Sequence, residues 1–356
     1  MENKDSSGLR QQRKLDHIKA LLEHQDGPQG SGLADLTLVH QAIPRCSFAE
    51  VDCSTELWGR RLDLPLIINA MTGGPEASGQ INAALARAAR ATGVGMAVGS
   101  QKVAIDNPRL EWTFAVAREE NPSGLLLANI SALSGVEDLQ RAVEMIAADA
   151  VQLHLNAAQE LAMAEGERGF GDIADNIARL VQASPVPVVV KEVGFGFSRE
   201  AALTLYNCGV RWVDVSGQGG TNFIAIEEAR AGGEISALAN WGLPTAVSLV
   251  EVLSAGVPLA VLASGGIRSS LDLAKTLALG ARAGGVAGYF LRILLQQSFA
   301  ALQEEISRWR RELQAVMLLI GAATVEDMRR CPVIIRGQVR EWLEQRGIPT
   351  AGFARR

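Results

Sequence analysis

Four polar side chains crowd into seven residues at "HLNAAQE" (154–160), directly after the apolar run "ADAVQL". Their types suit chemistry. His154 and Glu160 are polar enough to line a pocket mouth rather than a core. Asn156 and Gln159 can orient a ligand by hydrogen bonds, although Gln159 is a poor acid or base by itself. Burying such groups unpaired costs a few kcal/mol each. The spacing therefore asks for a pocket mouth, or for helix starts and loop backbone that these side chains cap. Lys191 raises the same question at the end of "VPVVVKE". An ammonium there can face a bound anion, or serve as a Schiff-base nucleophile once desolvated. Glu192 decides neither, because successive strand residues point to opposite faces. Two glycine clusters complete the set, "SGGIR" (264–268) and "VAG" (286–288). Glycine lets backbone approach a ligand closely, and N–H groups at a helix start hold an anion. With Arg268 adding charge, these loops point to a phosphate-bearing ligand.

Such residues need a frame that brings them together. Eight short apolar runs recur: "LPLIINA" (64–70), "GVGMAVGS" (93–100), "GLLLANI" (124–130), "AVQLHLN" (150–156), "VPVVVKEV" (186–193), "VRWVDVSG" (210–217), "VPLAVLASGG" (257–266) and "AGGVAGYF" (283–290). Stretches such as "GVEDLQRAVEMIAAD" and "SSLDLAKTLALGA" lie between them and read as amphipathic helices. Near-continuous apolar strands between helices imply a parallel sheet covered on both faces. Eight units predict an α/β fold, a closed (β/α)8 TIM barrel; an open doubly wound sheet is the alternative. Residues 1–63 read as an N-terminal extension, and residues 64–356 as the barrel with C-terminal helices through 292–356, one domain overall. The connection at about 218–256 is long enough for a lid or binding loop. In a barrel the C-terminal strand ends converge on one face. Here they read "NAMTGG", "VGSQ", "ANIS", "HLNAAQE", "KEVGFG", "SGQGGTN", "ASGGIRS" and "AGY", a polar and glycine-rich set.

Composition narrows the classes. The 356 residues are 48% hydrophobic, enough for a large core. Net charge is -5 with Lys and Arg dispersed, which argues against a nucleic-acid surface. Cys46, Cys53, Cys208 and Cys331 form no CxxC pair and only four histidines are present, so a zinc cluster is not expected. No apolar signal core precedes "RKLDHI", and no apolar run approaches the roughly 18 residues of a membrane span. The expectation is a cytoplasmic protein acting on a small molecule.

"INAMTGG", "HLNAAQE", "KEVGFGFS", "SGQGGTNF" with "IEEAR", and "ASGGIRSSLDLAKTLALGA" resemble type 2 isopentenyl diphosphate isomerase. The resemblance runs from "RKLDHI" to "YFLRIL". It implies a flavin-dependent barrel that interconverts isopentenyl and dimethylallyl diphosphate with reduced FMN and Mg2+. NAD(P)H would be the reductant and a homotetramer or homo-octamer the assembly. It implies FMN contacts at Ala70, Met71, Thr72, Ser100, Asn129, Lys191, Ser216 and Thr221. Gly266, Ile267, Arg268, Ala287 and Gly288 match its phosphate-holding segments. Substrate contacts would come from Arg13, Lys14, Ser100, Gln101, Lys102 and Gln159, with His154, Asn156 and Gln159 as the catalytic pocket and Glu160 as the Mg2+ ligand. "MAEGER" (163–168) departs from the family's "MPEGDR", and "LADL" (33–36) and "IPR" (43–45) from its "FDDI" and "LPE". These affect loop stiffness and N-terminal packing rather than the chemistry.

Two rival classes remain. An FMN-dependent 2-hydroxy acid oxidoreductase carries a His-Gly-Gly-Arg stretch after strand six. Here that stretch is Gln218, Gly219, Gly220 and Thr221. A non-catalytic flavin-binding barrel would bind FMN without turnover.

Overall fold

Eight parallel strands close into a barrel in the computed structural model, which describes Asp16, Lys19, Leu22, Gly27 and residues 29–163, 166–232 and 236–356. The strands are β1 (Leu66–Ile68), β2 (Gly95–Ala97), β3 (Leu126–Ser131), β4 (Ala150–Leu155), β5 (Val188–Glu192), β6 (Trp212–Asp214), β7 (Ala260–Ser264) and β8 (Ala283–Val286). Each pairs with its neighbour in sequence, and β8 pairs with β1 from Gly284↔Leu66 to Val286↔Ile68. The sheet is therefore the expected closed barrel and not an open one. Helices follow the strands and cover the outside. The first, Glu76–Thr92, ends at Gly93, whose φ of 66° suits a residue without a Cβ.

A period of two runs through the strands and sorts the interior into layers. Ile67, Ala97, Leu127, Ala150, Val189, Leu262 and Ala283 form one apolar cluster near the strand starts. Two residues further along stand Asn69, Asn129, Gln152, Lys191 and Ser264, all buried, with Asp214 two beyond Trp212. The lower barrel is thus oil-like and the upper barrel polar.

A hairpin plugs the lower end. Thr55–Leu57 and Arg60–Leu62 pair antiparallel, and Leu57 and Leu62 join the apolar cluster. Its turn residues Trp58 and Gly59 both have positive φ, 50° and 76°, as a two-residue type I′ turn requires. Trp58 rests on Trp212 with ring centroids 4.7 Å apart.

Two expectations need correction. The run "AGGVAGYF" leaves the sheet at Val286, and Gly288 already begins the helix Gly288–Gln296. Helix wins there because the chain must turn outward over the barrel rim. The C-terminal region is not all helix either. Val333–Ile335 is a strand that pairs antiparallel with Leu36–Leu38 of the N-terminal extension. Its β-branched residues and the open edge opposite outweigh the helical neighbours. The long connection after β6 holds Phe223–Arg230, a short 3-10 helix Ala237–Asn240 and Thr245–Leu253. All four cysteines are free thiols. Among the described residues no helix is long and apolar enough to cross a membrane.

Candidate active site

The polar strand ends enclose a cavity of about 670 Å³, a size that holds a cofactor-scale ligand. The short helix Ala157–Ala162 follows β4 and explains the crowding at 154–160. His154 ends the strand, Asn156 sits at the helix start, and Gln159 and Glu160 lie one turn on. All four line the cavity. Asn156 Nδ2 donates to Glu160 Oε1 at 2.7 Å, and the Glu167 N–H donates to Glu160 Oε2 at 2.9 Å. Gln159 Nε2 donates to Glu227 Oε1 at 2.8 Å, while Arg230 Nε donates to Glu227 Oε2 at 2.8 Å. Glu227 was not singled out in the sequence. Its signal is an acid on the apolar side of "FIAIEEAR", where it is fully buried.

Lys191 and Glu192 divide as the strand alternation requires. Lys191 lines the cavity. Its Nζ donates to the Glu192 carbonyl at 2.8 Å and stands 3.8 Å from Asp214 Oδ2. Glu192 faces the other way and fastens the next loop. Its Oε2 accepts the N–H groups of Val193, Gly194, Phe195 and Gly196. Burial pushes the Glu192 carboxyl up from 4.5 to about 7, against the pull of these N–H groups and Lys191. The folded state then keeps a proton that the unfolded chain releases between those values. This group costs nothing below pH 4.5, and stability falls as pH rises through 7. Unfolding free energy from urea melts is expected to drop by about 3 kcal/mol over that window through Glu192, and Glu192→Gln to flatten the slope. Identical slopes in the two proteins would refute this.

Glycines shape the opposite wall. Gly265 and Gly266 have φ of 99° and 73°. A Cβ on Gly265 would meet the Gly217 carbonyl at 2.2 Å, and one on Gly266 the Gly219 carbonyl at 2.6 Å. The ends of β6 and β7 pack backbone to backbone, and Gly217, Gly220, Gly265 and Gly266 line the cavity. Ser216, also in the wall, holds φ of 36° without being glycine, a strain of about 1–2 kcal/mol. Arg268 lines the cavity and donates to the Gly219 carbonyl.

The remaining expected residues divide. Ala70, Met71, Ser100, Lys102, Asn129, Thr221, Ile267, Ala287 and Gly288 line the cavity. Thr72 and Gln101 do not. Thr72 is buried against Ser78 at 2.8 Å. Gln101 is fully buried, donating to the Ala142 carbonyl and accepting from the Asn129 N–H, both at 2.9 Å. Its side chain ties β3 to the helix Val136–Met145. Gln218 is likewise structural. Its Nε2 donates to the carbonyls of Asn240 and Trp241. Arg13 and Lys14 lie outside the described residues. Among the described residues no group of three or more His, Cys, Asp or Glu gathers as a metal cage.

The chain is 51% identical to an isopentenyl-diphosphate delta-isomerase of Moorella thermoacetica (strain ATCC 39073 / JCM 9320) over 337 residues, 95% of this chain and 97% of the relative. The chain belongs to the isopentenyl-diphosphate delta-isomerase family. A second isopentenyl-diphosphate delta-isomerase, from Bacillus mycoides (strain KBAB4), is 44% identical over 98% of this chain and all of its own length. The family model of FMN-dependent dehydrogenases matches residues 128–334. A mandelate oxidase solved with (S)-4-hydroxymandelic acid superposes with a TM-score of 0.62 over 92% of this chain and 98% of its own. At 17% identity that likeness speaks for the shared barrel alone. In this chain the amide-and-acid cluster stands at the end of β4 and on the helix after it, and the glycine wall follows β6 and β7.

Proposed function

We propose that this cavity interconverts isopentenyl and dimethylallyl diphosphate with reduced FMN and Mg2+, and with no net redox change. The observation that carries the reading is one shared cavity: Glu160, Asn156, Gln159 and His154 face the same space as the glycine wall and Lys191. The isomerase relatives and the FMN-dependent family model support it. Reduced FMN would supply an electron-rich ring and an exchangeable proton. Gly266, Ile267, Arg268, Ala287 and Gly288 would hold its phosphate, through backbone N–H groups and one guanidinium. Ala70, Met71, Ser100, Asn129, Ser216 and Thr221 would flank the ring, and Lys191 would oppose its negative charge. Thr72 would act only from behind, through the loop it braces.

Moving a double bond by one position needs a proton added at one carbon and removed at another. His154 and Asn156 would bind the substrate diphosphate with Ser100 and Lys102. Arg13 and Lys14 would close over the same group through charge-assisted hydrogen bonds. Gln159, held by Glu227, would position the reacting carbons or pass a proton. Glu160 would hold Mg2+ together with diphosphate oxygens. A single carboxylate suffices for an ion that keeps most of its ligands from water and phosphate. The apolar lower barrel and its hairpin plug keep water out from below. NAD(P)H would reduce the flavin initially, and a homo-oligomer such as a tetramer or octamer would be the working assembly.

The 2-hydroxy acid reading lacks its base, because Gln218 is buried in backbone contacts. The test is proton NMR of isopentenyl diphosphate with Mg2+, FMN and a limiting amount of dithionite, without oxygen. Many dimethylallyl diphosphate molecules are expected per reducing equivalent. Product capped at one per equivalent would mean an oxidoreductase, and bound flavin without product would mean a non-catalytic barrel.

A further inference from the structure

The polar layer inside the barrel is a single chain of hydrogen bonds with a direction. At one end stands the Asp214 carboxyl group. Asn69 Nδ2 donates to its Oδ2 at 2.7 Å, and Ser264 Oγ donates to its Oδ1 at 2.6 Å. The Ala70 N–H donates to Asn69 Oδ1 at 2.9 Å and fixes the same amide orientation independently. Asn69 Oδ1 is therefore the atom that meets Gln152 Nε2, at 2.9 Å. Gln152 must then present Oε1 to Asn129, whose Nδ2 donates at 2.9 Å. That leaves Asn129 Oδ1 facing His154 Nδ1 at 2.9 Å. An amide oxygen only accepts, so His154 Nδ1 must carry the hydrogen.

We infer that the Asp214–Asn69–Gln152–Asn129 chain sets the tautomer of His154, placing the hydrogen on Nδ1 and making Nε2 the ring nitrogen that exchanges protons or accepts hydrogen bonds. The inference deepens the proposed role of His154 at the substrate and rests on that reading for its use. Its geometry stands without it. Burial makes the chain rigid in sense. Gln152 and Asp214 are 0% exposed, Asn69 2% and Asn129 3%. Flipping one amide would put oxygen against oxygen and nitrogen against nitrogen in a place where water cannot compensate. Gly285 belongs to the same design, since a Cβ there would meet Asn69 Nδ2 at 2.6 Å. Asp214 also stands 3.8 Å from Lys191 Nζ, so one carboxylate orients the chain toward His154 and balances the ammonium on the neighbouring strand. Asp214, Asn69 and Gln152 are positioning residues, because each acts through another side chain.

The tautomer can be read directly. The holoprotein would be labelled with ring ¹⁵N histidine, and the His154 signals, among four histidines, identified by their absence from His154→Asn. At a pH where the ring is neutral, Nδ1 is expected at a pyrrole-type shift and Nε2 at a pyridine-type shift. Gln152→Met cuts the chain two bonds away without a pocket contact. It is expected to release Asn129 and turn the His154 signals into a mixture of tautomers, while circular dichroism shows the barrel still folded. Gln152→Glu as the neutral acid, whose O–H donates to Asn69 Oδ1 while its other oxygen still faces Asn129, is expected to restore the wild-type pattern. A wild-type ring with its hydrogen on Nε2 would overturn the inference, and so would a Gln152→Met spectrum identical to wild type. The wild-type spectrum decides even if Gln152→Met fails to fold. Turnover is not the readout, so failure here is distinct from failure of the isomerase reading.

Discussion

Gly266→Ala is expected to weaken FMN binding by roughly 30- to 100-fold while leaving the barrel folded. Gly266 sits at the end of β7 with φ of 73°. An L-residue there costs about 1–2 kcal/mol from backbone strain alone. The new methyl would also stand 2.6 Å from the Gly219 carbonyl, and backbone yields less readily than a flexible side chain. The two loop ends must separate, which displaces the backbone proposed to hold the phosphate. A total near 2–3 kcal/mol converts to that loss of affinity at about 1.4 kcal/mol per factor of ten. Flavin fluorescence quenching gives the dissociation constant, and circular dichroism confirms the fold. An affinity within about three-fold of wild type would show that this wall does not hold the cofactor.

Glu160→Gln carries the second large effect. The substitution keeps the side chain's shape and removes its charge. One of two present contacts, from Asn156 Nδ2 or from the Glu167 N–H, would meet an amide NH2 instead of an oxygen. A charged hydrogen-bond or metal partner is worth about 1.5–3 kcal/mol, so the Mg2+ concentration for half-maximal activity is expected to rise roughly 10- to 100-fold. Flavin affinity should stay within about two-fold, because Glu160 lies on β4's helix and the glycine wall lies across the cavity. A Mg2+ dependence equal to wild type would remove Glu160 from the metal site.

The sequence announces the barrel because its strands are apolar on both faces and its helices are amphipathic. Eight runs of one kind separated by the other admit few arrangements. It also announces the β4 cluster, because His154, Asn156, Gln159 and Glu160 interrupt that apolar text within seven residues. The axial polar layer was harder to see. Asn69, Gln152 and Asp214 each sit alone in an apolar run, and a lone polar residue in a strand looks like an exception. Only the pairing of strands shows that the exceptions share one level. The signal was nonetheless present as a two-residue step: Ile67 to Asn69, Leu127 to Asn129, Ala150 to Gln152, Val189 to Lys191, Leu262 to Ser264. Glu227 and the strand Val333–Ile335 were hidden for a different reason. Each is defined by a partner far away in the chain, Gln159 for the one and Leu36–Leu38 for the other. Gln101 shows the limit of reading neighbours together, since Ser100 and Lys102 line the cavity while the Gln101 side chain is buried.

The pairing of Leu36–Leu38 with Val333–Ile335 imposes a schedule on the newborn chain. The first of these segments leaves the ribosome while its partner is still about 295 residues from being made. At roughly 5–20 residues per second, that is a wait of about 15–60 s. Throughout it, the Leu36 and Leu38 backbone offers an unpaired edge to any other strand in reach. Chains translated close together on one message therefore expose the same open edge to each other over overlapping intervals. Slowing the last codons would lengthen that exposure, and supplying the C-terminal segment early, by circular permutation, would shorten it.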